Sequence, residues 1–408
     1  MSNLAHRNIP IAIIGGGIHG CAIATRILRD MPSAAKHFVI LDRNPVPLLA
    51  WRRKTERQGM AFLRSPAVHH IGGDSLGLVD YARTQNRTAE LAPPYSQPST
   101  DLFLDFCLHE IETPQLEQQF HQFDVGELRW DKGSGKFPFR IISLKNEGFR
   151  AACVILAVGT DDCAYVPPDL NLFKRRFPVF LPHSSEFGLH QVMKTAVPSK
   201  IVIVGGGLTA ATLAKNLTDL GVEVVLIARK PLKIQQFDFE PIWLGPKALA
   251  EFANELDWEE RRMMVQKARG EGSVTPEIAE ALTKSSLDGK LHLQEGAKIR
   301  HIDGESCLQV KTTESTFNHV DLVVLATGYR FDLHRYRFLS NLIEKHKIPT
   351  LHGLPKLDKA LQLLPVQDLF GSGVIAQLEI GPAAGNIAGV SLAYERMRDK
   401  VLTLIPKL

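Results

Sequence analysis

The chain has 408 residues, of which 44% are hydrophobic and 23% charged, and its formal net charge is +4. This composition is ordinary for a globular protein and excludes a disordered chain, a collagen-like fibre and a small disulfide scaffold. So small a charge does not favour nucleic acid or a membrane surface as a partner.

The length and the cysteine content narrow the possible classes of protein further. At ~100–200 residues per domain, the chain is long enough for two or three domains. Its five cysteines are dispersed without a metal-binding spacing, which fits a reducing compartment and predicts no metal site. The N-terminal segment lacks the apolar core of a targeting signal, and no apolar run approaches the ~20 residues of a membrane span. We therefore expect a cytoplasmic protein without integral membrane association. The sequence does not decide between a monomer and a homo-oligomer.

The first predicted unit is a strand, a glycine turn, a helix and a second strand. Residues 11–14 form a short apolar run that leads into the turn GGGIHG at residues 15–20. A helical pattern extends to about Asp30, and a second apolar run at residues 38–41 ends at Asp42. Continuous apolar strands of this kind indicate a sheet that is buried on both faces.

This turn has the spacing of a dinucleotide-binding turn. In a G-x-G-x-x-G turn, Gly15 permits the tight turn, Gly17 lets a pyrophosphate approach the backbone, and Gly20 lets the helix pack on the strand. The helix N-terminus supplies free N–H groups for phosphate. At the end of the second strand, Asp42 is placed to accept hydrogen bonds from an adenosine ribose. The alternative is a glycine-rich turn that closes an unrelated α/β unit.

A second unit repeats the design but ends in basic residues. Residues 201–204 lead into GGGLTA at residues 205–210, in which Gly205 and Gly207 take the first two glycine positions. A helix and a strand follow, and Arg229 and Lys230 stand where Asp42 stands in the first unit. Basic side chains bind a 2′-phosphate, so this site is predicted to prefer NADPH to NADH. The alternative is that the two charges are simply solvated.

Two dinucleotide sites on one chain predict redox chemistry. NADPH gives a hydride, and the most economical acceptor nearby is a second dinucleotide with redox chemistry of its own, which is FAD. Because Asp42 repels a 2′-phosphate, we expect FAD at the first turn and NADPH at the second.

The remaining elements predict two nested domains. Apolar strands at residues 153–158 and 322–326 end near Gly159 and Gly328, and residues 247–286 have a helical, charged pattern. The simplest partition is an FAD-binding domain from residues 1–165 and 327–408, with an NADPH-binding domain at residues 195–326 that carries the helical insertion 247–286. The predicted fold class is α/β, with two Rossmann-like, doubly wound dinucleotide-binding domains, the second inserted in the first.

The last predicted helix is amphipathic and spans residues 386–404, and GPAAGN at residues 381–386 opens it. Pro382 suits the first turn of a helix, and small residues allow a close approach of the backbone. A helix N-terminus at Gly381 to Asn386 that points at the flavin would stabilise negative charge on the reduced ring. The alternative is a plain start of a helix.

Several further motifs resemble a family of flavoproteins. They are Trp51 followed by Gly59-Met60 and Leu63-x-x-Pro66, His183-Ser184 before the second unit, and Ala-Thr-Gly-Tyr at residues 326–329. In this order they are similar to the class B flavin-dependent monooxygenases, and most similar to the lysine/ornithine N-hydroxylating type. The resemblance implies that Trp51 and Met60 lie beside the flavin and that His183 and Ser184 contact NADPH. It also implies that Gly159, Gly328 and Tyr329 belong to the segments joining the two domains.

The resemblance implies a reaction as well. It implies that one oxygen atom of O₂ passes from a flavin C4a-hydroperoxide to a small nucleophile, expected to be an amine nitrogen. We call the stretch from Trp51 to Pro66 the flavin-side motif. His69 and His70 follow it and are the candidates for acid–base catalysis or substrate binding. The N-hydroxylating enzymes usually carry other residues there. Two alternatives therefore stay open: an NADPH-dependent flavoprotein reductase or oxidase without oxygen insertion, and a non-catalytic dinucleotide-binding protein.

Overall fold

The computed structural model describes residues 4, 7–112, 114–194 and 198–405. Its strands are β1 (Asn8–Ile14), β2 (Phe38–Asp42), β3 (Leu91–Ala92), β4 (Gln97–Pro98), β5 (Phe120–Gln122), β6 (Val125–Trp130), β7 (Phe139–Ser143), β8 (Gly148–Leu156), β9 (Lys200–Val204), β10 (Glu223–Ala228), β11 (Leu291–Glu295), β12 (Ile299–Gly304), β13 (Leu308–Thr312), β14 (Thr316–Val320), β15 (Leu322–Leu325), β16 (Thr350–Leu351), β17 (Leu354–Pro355) and β18 (Leu369–Gly371). Its helices are α1 (Ile18–Asp30), α2 (Leu49–Gln58), α3 (Gly77–Thr84), α4 (Thr100–Ile111), α5 (Pro114–Glu117), α6 (Pro168–Arg176), α7 (Leu189–Lys194), α8 (Leu208–Asp219), α9 (Pro246–Asn254), α10 (Trp258–Arg269), α11 (Pro276–Leu287), α12 (Ser340–His346), α13 (Gln377–Ile380) and α14 (Ile387–Thr403). Within these described residues, no helix combines the length and the apolar character needed to cross a membrane.

Most of the strands belong to two sheets that are built around parallel strands. The larger sheet has the order β5-β2-β1-β8-β7-β6, with β18 also paired to β8. Its strands β1, β2, β5, β8 and β18 run parallel, while β6 and β7 are antiparallel additions. The smaller sheet, β11-β10-β9-β15, is parallel throughout. Because β18 returns to the larger sheet after β15, the second unit is inserted in the first, which confirms the predicted fold class. The residue bounds of the two domains stay a prediction.

The sequence pattern of the two glycine-containing units explains their burial. Six of the seven residues of β1 and four of the five residues of β9 are buried. Strands covered on both faces need apolar side chains at successive positions, and not only at alternating ones. The side chains of β1 and β9 belong to separate apolar cores, so each sheet has a core of its own.

The predicted helical insertion consists of the three helices α9, α10 and α11. Pro276 begins α11, as its position after a threonine predicts, because proline suits the first helical position. The side chain of Asp257 caps α10 by accepting hydrogen bonds from the N–H groups of Glu259 and Glu260. The prediction included the helix start at Pro276 but not the break between α9 and α10.

The start of the last helix differs from the prediction. Residues 382–385 form a turn, and α14 begins only at Ile387, with Asn386 as its N-cap. Pro382 therefore does not occupy the first helical turn, so that prediction is wrong. The turn is stabilised by hydrogen bonds from the Ala384 N–H to the Gly381 carbonyl and from the Asn386 N–H to the Ala383 carbonyl. Proline is equally suited to such a turn, which is why its position misled the prediction.

Candidate functional site

The first glycine turn, between β1 and α1, is packed tightly on the protein at two of its glycines. Gly15 has a φ of +112°, and a β-carbon added there would lie 2.2 Å from the carbonyl oxygen of Ala157. A β-carbon on Gly20 would lie 1.8 Å from the carbonyl oxygen of Gly15. Only glycine fits at these two positions, because any side chain would collide with backbone atoms.

Gly17 has a different environment. Its φ of −81° is open to any residue, and among the described residues an added β-carbon meets no neighbour within 4 Å. Gly17 is the N-cap of α1 and has no side chain to pair with the free N–H groups of the first turn, which contains no acidic residue. This open, electropositive helix end fits a phosphate group. The residues present therefore fit the pyrophosphate of FAD.

Asp42 is fixed at the edge of this turn. One carboxylate oxygen accepts a hydrogen bond from the Gly16 N–H at 2.6 Å, and the other accepts two from Asn44, at 2.7 and 2.8 Å. A carboxylate can accept about four hydrogen bonds, so capacity remains for a ribose hydroxyl. Its negative charge disfavours a 2′-phosphate at the same place, as predicted.

The second glycine turn, between β9 and α8, repeats these features. A β-carbon on Gly205 would lie 2.3 Å from the carbonyl oxygen of Ala326. Gly207 is the N-cap of α8, and a β-carbon there would meet only the Cα atom of Gly272, at 3.9 Å, among the described residues. The first turn of α8 also lacks an acidic residue. The turn therefore fits a second pyrophosphate.

One cavity is lined by the second glycine turn, and a neighbouring cavity shares part of its lining. The first, of about 470 Å³, extends from Gly207 and Arg229 to Lys54 and Tyr329. The second, of about 730 Å³, extends from Thr160, after β8, to Gly385, before α14. Arg269 and Tyr329 line both cavities. A ligand in one cavity would therefore lie close to a ligand in the other.

Four hydrogen-bonded side chains from distant segments form a polar wall at the first cavity: Arg64, Asp238 and Arg269, which line it, and Asn386, which is bonded to the last two. Asp238 accepts a hydrogen bond from Arg64 at 2.6 Å and one from the Asn386 side-chain amide at 2.8 Å. Arg269 donates to the Asn386 side-chain oxygen at 2.7 Å and to the Pro382 carbonyl at 2.7 Å. The wall thus connects the helical insertion, the flavin-side motif and the start of α14.

The wall also reaches the first glycine turn. The His19 ring of GGGIHG lies 2.9 Å from the Ser372 hydroxyl and 3.2 Å from the Asn386 carbonyl oxygen. Burial lowers the pKa of His19 to about 4, so its ring is neutral at pH 7. Sequence reasoning missed His19, Arg64, Asp238 and Arg269. Of these four residues, only His19 and Arg64 could have been found from the sequence, because they lie inside recognised motifs.

Lys54 and Tyr329 line the first cavity, and the His183 ring packs against the Tyr329 ring with their centres 5.4 Å apart. The Lys54 amino group lies 4.3 Å from the centre of the Tyr329 ring, and burial lowers the pKa of Lys54. His183 is buried and contacts the Gly328 carbonyl oxygen at 3.1 Å, so it holds the Gly328–Tyr329 backbone in place. Ser184 lines the cavity directly.

Trp51, Met60 and Gly159 are three other residues that the sequence predicts to bind a cofactor. Trp51 packs against Phe103, with their ring centres 5.2 Å apart, and Met60 lines a separate cavity of about 260 Å³. A β-carbon on Gly159 would meet no described neighbour within 4 Å, and the carbonyl of Gly159 accepts a hydrogen bond from the Tyr336 hydroxyl. Roles for Trp51, Met60 and Gly159 in cofactor binding stay predictions.

His69 and His70 lie elsewhere. His70 is buried, with its ring edge against Phe106 at 4.8 Å and its Nε2 atom 3.3 Å from the Ser75 carbonyl oxygen. Burial lowers the pKa of His70 to about 4. The described residues that line the two cavities do not include His69 or His70. This geometry lends no support to the catalytic role expected for them.

The sequence matches two models of known protein families. A family model described as L-lysine 6-monooxygenase/L-ornithine 5-monooxygenase matches residues 110–331, which is more than half of the chain. A second model, described as FAD-NAD(P)-binding, matches residues 12–161 and includes the first glycine turn. No curated protein matches the sequence.

Solved structures share the fold at low sequence identity. The ornithine N-hydroxylase of Kutzneria sp. 744 has a TM-score of 0.77 at 15% identity, over 97% of this chain and 99% of that chain. The cadaverine monooxygenase of Erwinia amylovora has a TM-score of 0.76 at 15% identity, over 99% and 97%. The L-lysine 6-monooxygenase of Pseudomonas syringae has a TM-score of 0.74 at 18% identity, over 98% and 100%. These likenesses establish a common fold.

The family match confirms three predictions. It confirms the resemblance to the N-hydroxylating enzymes, the pairing of FAD with a nicotinamide dinucleotide, and the class of the protein as an oxidoreductase. The chain belongs to the L-lysine 6-monooxygenase/L-ornithine 5-monooxygenase family.

Proposed function

We propose that the protein is an FAD- and NADPH-dependent monooxygenase that transfers one atom of O₂ to the nitrogen of a small aliphatic amine. The observation that carries this proposal is the pair of open glycine turns, the second of which lines a cavity that shares Arg269 and Tyr329 with a neighbouring cavity. Two dinucleotides held in this way bring a hydride donor and an acceptor together.

FAD would be held by the first turn, with its pyrophosphate at Gly17 and α1 and its adenosine ribose at Asp42. When bound, it supplies the chemistry that passes electrons from NADPH to O₂ and one oxygen atom to the substrate. Gly207 and α8 would hold the pyrophosphate of NADPH, and Arg229 its 2′-phosphate.

The chain's own side chains prepare the space between the cofactors. Arg269 and Lys54 bring positive charge to the cavity lining, which stabilises negative charge that develops there during electron transfer. The polar wall holds Arg269 in a fixed position through Asn386 and the Pro382 carbonyl. A fixed charge of this kind needs no rearrangement during the reaction and occupies space that water would otherwise take.

The proposed substrate class follows from the family and from the structurally similar enzymes. Their names specify ornithine, cadaverine and lysine, which share a primary amine at the end of a short alkyl chain. We therefore propose a primary amine of this kind for the present chain.

The proposal is tested with purified protein, NADPH, O₂ and each of these three amines. We expect at least one amine to accelerate NADPH oxidation and to yield a hydroxylamine in proportion to the NADPH consumed. If no amine yields a hydroxylamine and all the electrons appear in hydrogen peroxide, the proposal is wrong and the protein is an oxidase.

Replacement of Arg229 tests the assignment of the second turn. We expect Arg229→Ala to raise the KM for NADPH about 10- to 100-fold, because charge-assisted hydrogen bonds to phosphate contribute roughly 1.5–3 kcal/mol. The KM for NADH should change little, since NADH has no 2′-phosphate. Steady-state oxidation of both coenzymes measures the effect, and equal changes in the two KM values would contradict the assignment.

A further inference from the structure

A short segment of the helical insertion crosses the second glycine turn. We call residues 269–273, which run from the last residue of α10 toward α11, the strap. At its start Arg269 is fixed by Asn386 and the Pro382 carbonyl, and at its end the Ser273 hydroxyl accepts a hydrogen bond from Arg64 at 2.7 Å. In its middle, Gly272 packs so closely that a β-carbon there would lie 3.2 Å from the Cα atom of Gly207.

The strap places a carboxylate at the predicted 2′-phosphate site. The Glu271 carboxylate accepts a hydrogen bond from the Lys230 amino group at 2.7 Å, and Glu271 lines the first cavity together with Arg229. The hydrogen bond from Lys230 and the charges of Lys230 and Arg229 lower the pKa of Glu271. Glu271 is therefore ionised at neutral pH.

The Lys230 and Glu271 side chains are 69% and 61% exposed, so their ion pair lies at the surface, but the backbone of Glu271 is anchored. Exposed pairs have little energetic value, partly because ordering two flexible side chains costs entropy. Here the backbone on both sides of Glu271 is already held, at Arg269 and at Gly272 and Ser273. The anchored backbone thus places the Glu271 carboxylate beside Lys230, at the cavity that Arg229 also lines.

We propose that Glu271 is a specificity-determining residue, because its carboxylate competes with the 2′-phosphate of NADPH for Lys230 and Arg229. The inference rests on the proposed function, which places NADPH at this turn. Two consequences follow. Repulsion by Glu271 weakens the preference for NADPH, and the carboxylate accepts a hydrogen bond from the 2′-hydroxyl of NADH. The protein then uses both coenzymes.

Binding of nucleotide fragments to the FAD-loaded protein tests this directly. The fragments are adenosine 2′,5′-bisphosphate and 5′-AMP, which differ only in the 2′-phosphate, and calorimetry gives the Kd of each. We expect Glu271→Gln to tighten binding of the bisphosphate about three- to tenfold, as removal of one screened charge would. Binding of 5′-AMP should stay unchanged or weaken slightly.

A matched control separates a local effect from a general effect of charge. Glu280→Gln removes the same charge from α11 at an exposed position, and Glu280 is not among the described residues that line the cavities. An unchanged Kd for the bisphosphate in Glu271→Gln, or an equal change in Glu280→Gln, overturns the inference. Hydroxylamine formation is measured separately, so failure of the proposed function is recognised independently.

Discussion

Gly17→Val is expected to yield a folded protein that is colourless because it cannot retain FAD. The backbone at Gly17 suits any residue, and the space around its β-carbon position is free of described protein atoms. The valine side chain would instead occupy the place of the pyrophosphate. We expect FAD to bind about 100-fold more weakly or worse, since forced overpacking of 1–3 kcal/mol adds to lost phosphate contacts.

The matched variant is Gly207→Val in the second turn. It should purify yellow, with FAD bound, but NADPH should no longer reduce it. Visible absorption measures the flavin content, and circular dichroism with thermal unfolding checks the fold of both variants. A yellow Gly17→Val protein with the flavin content of the wild type would contradict the placement of FAD at this turn.

Arg261→Met should lower the free energy of unfolding by about 3 kcal/mol. The side chains of Arg261 and Glu379 are 8% and 7% exposed, and their ion pair of 2.6 Å joins α10 to α13. Removal of one partner of a buried pair costs ~3–5 kcal/mol because the other charge is left buried. We expect the lower end of this range, since Arg396 still contacts Glu379 at 3.3 Å.

The control for this prediction is Arg262→Met on the same helix. Arg262 pairs with Glu259 within α10 at a more exposed position, so we expect a loss below about 1 kcal/mol. Urea unfolding of the FAD-loaded proteins measures both values. Equal stability losses in the two variants would show that the Arg261–Glu379 pair does not hold the insertion in place.

The parts of the fold that depend on local sequence were predictable. The runs before Gly15 and Gly205 are apolar at successive positions, which is the pattern of a strand buried on both faces. The glycine spacing then identified the two turns, and the change from Asp42 to Arg229 distinguished them. Within each unit, the glycines and the residue that ends the second strand lie within a few tens of positions, so no tertiary information was needed.

The polar wall could not be predicted in this way. Arg64 and Asp238 are 174 positions apart, and Asp238 and Asn386 are 148 positions apart. These side chains come together only because the inserted second unit packs against the larger sheet. The prediction for His69 and His70 also depended on tertiary structure. His70 follows the motif that ends at Pro66, but the chain turns after Pro66 and directs the His70 ring toward Phe106.

The most direct test of the proposed monooxygenase is the fate of labelled dioxygen. The protein, with NADPH and an amine substrate, is supplied with isotopically labelled O₂ in unlabelled water, and the products are analysed by mass spectrometry. We expect one labelled oxygen atom on the amine nitrogen. Label found only in hydrogen peroxide or water, with the amine unchanged, would contradict it.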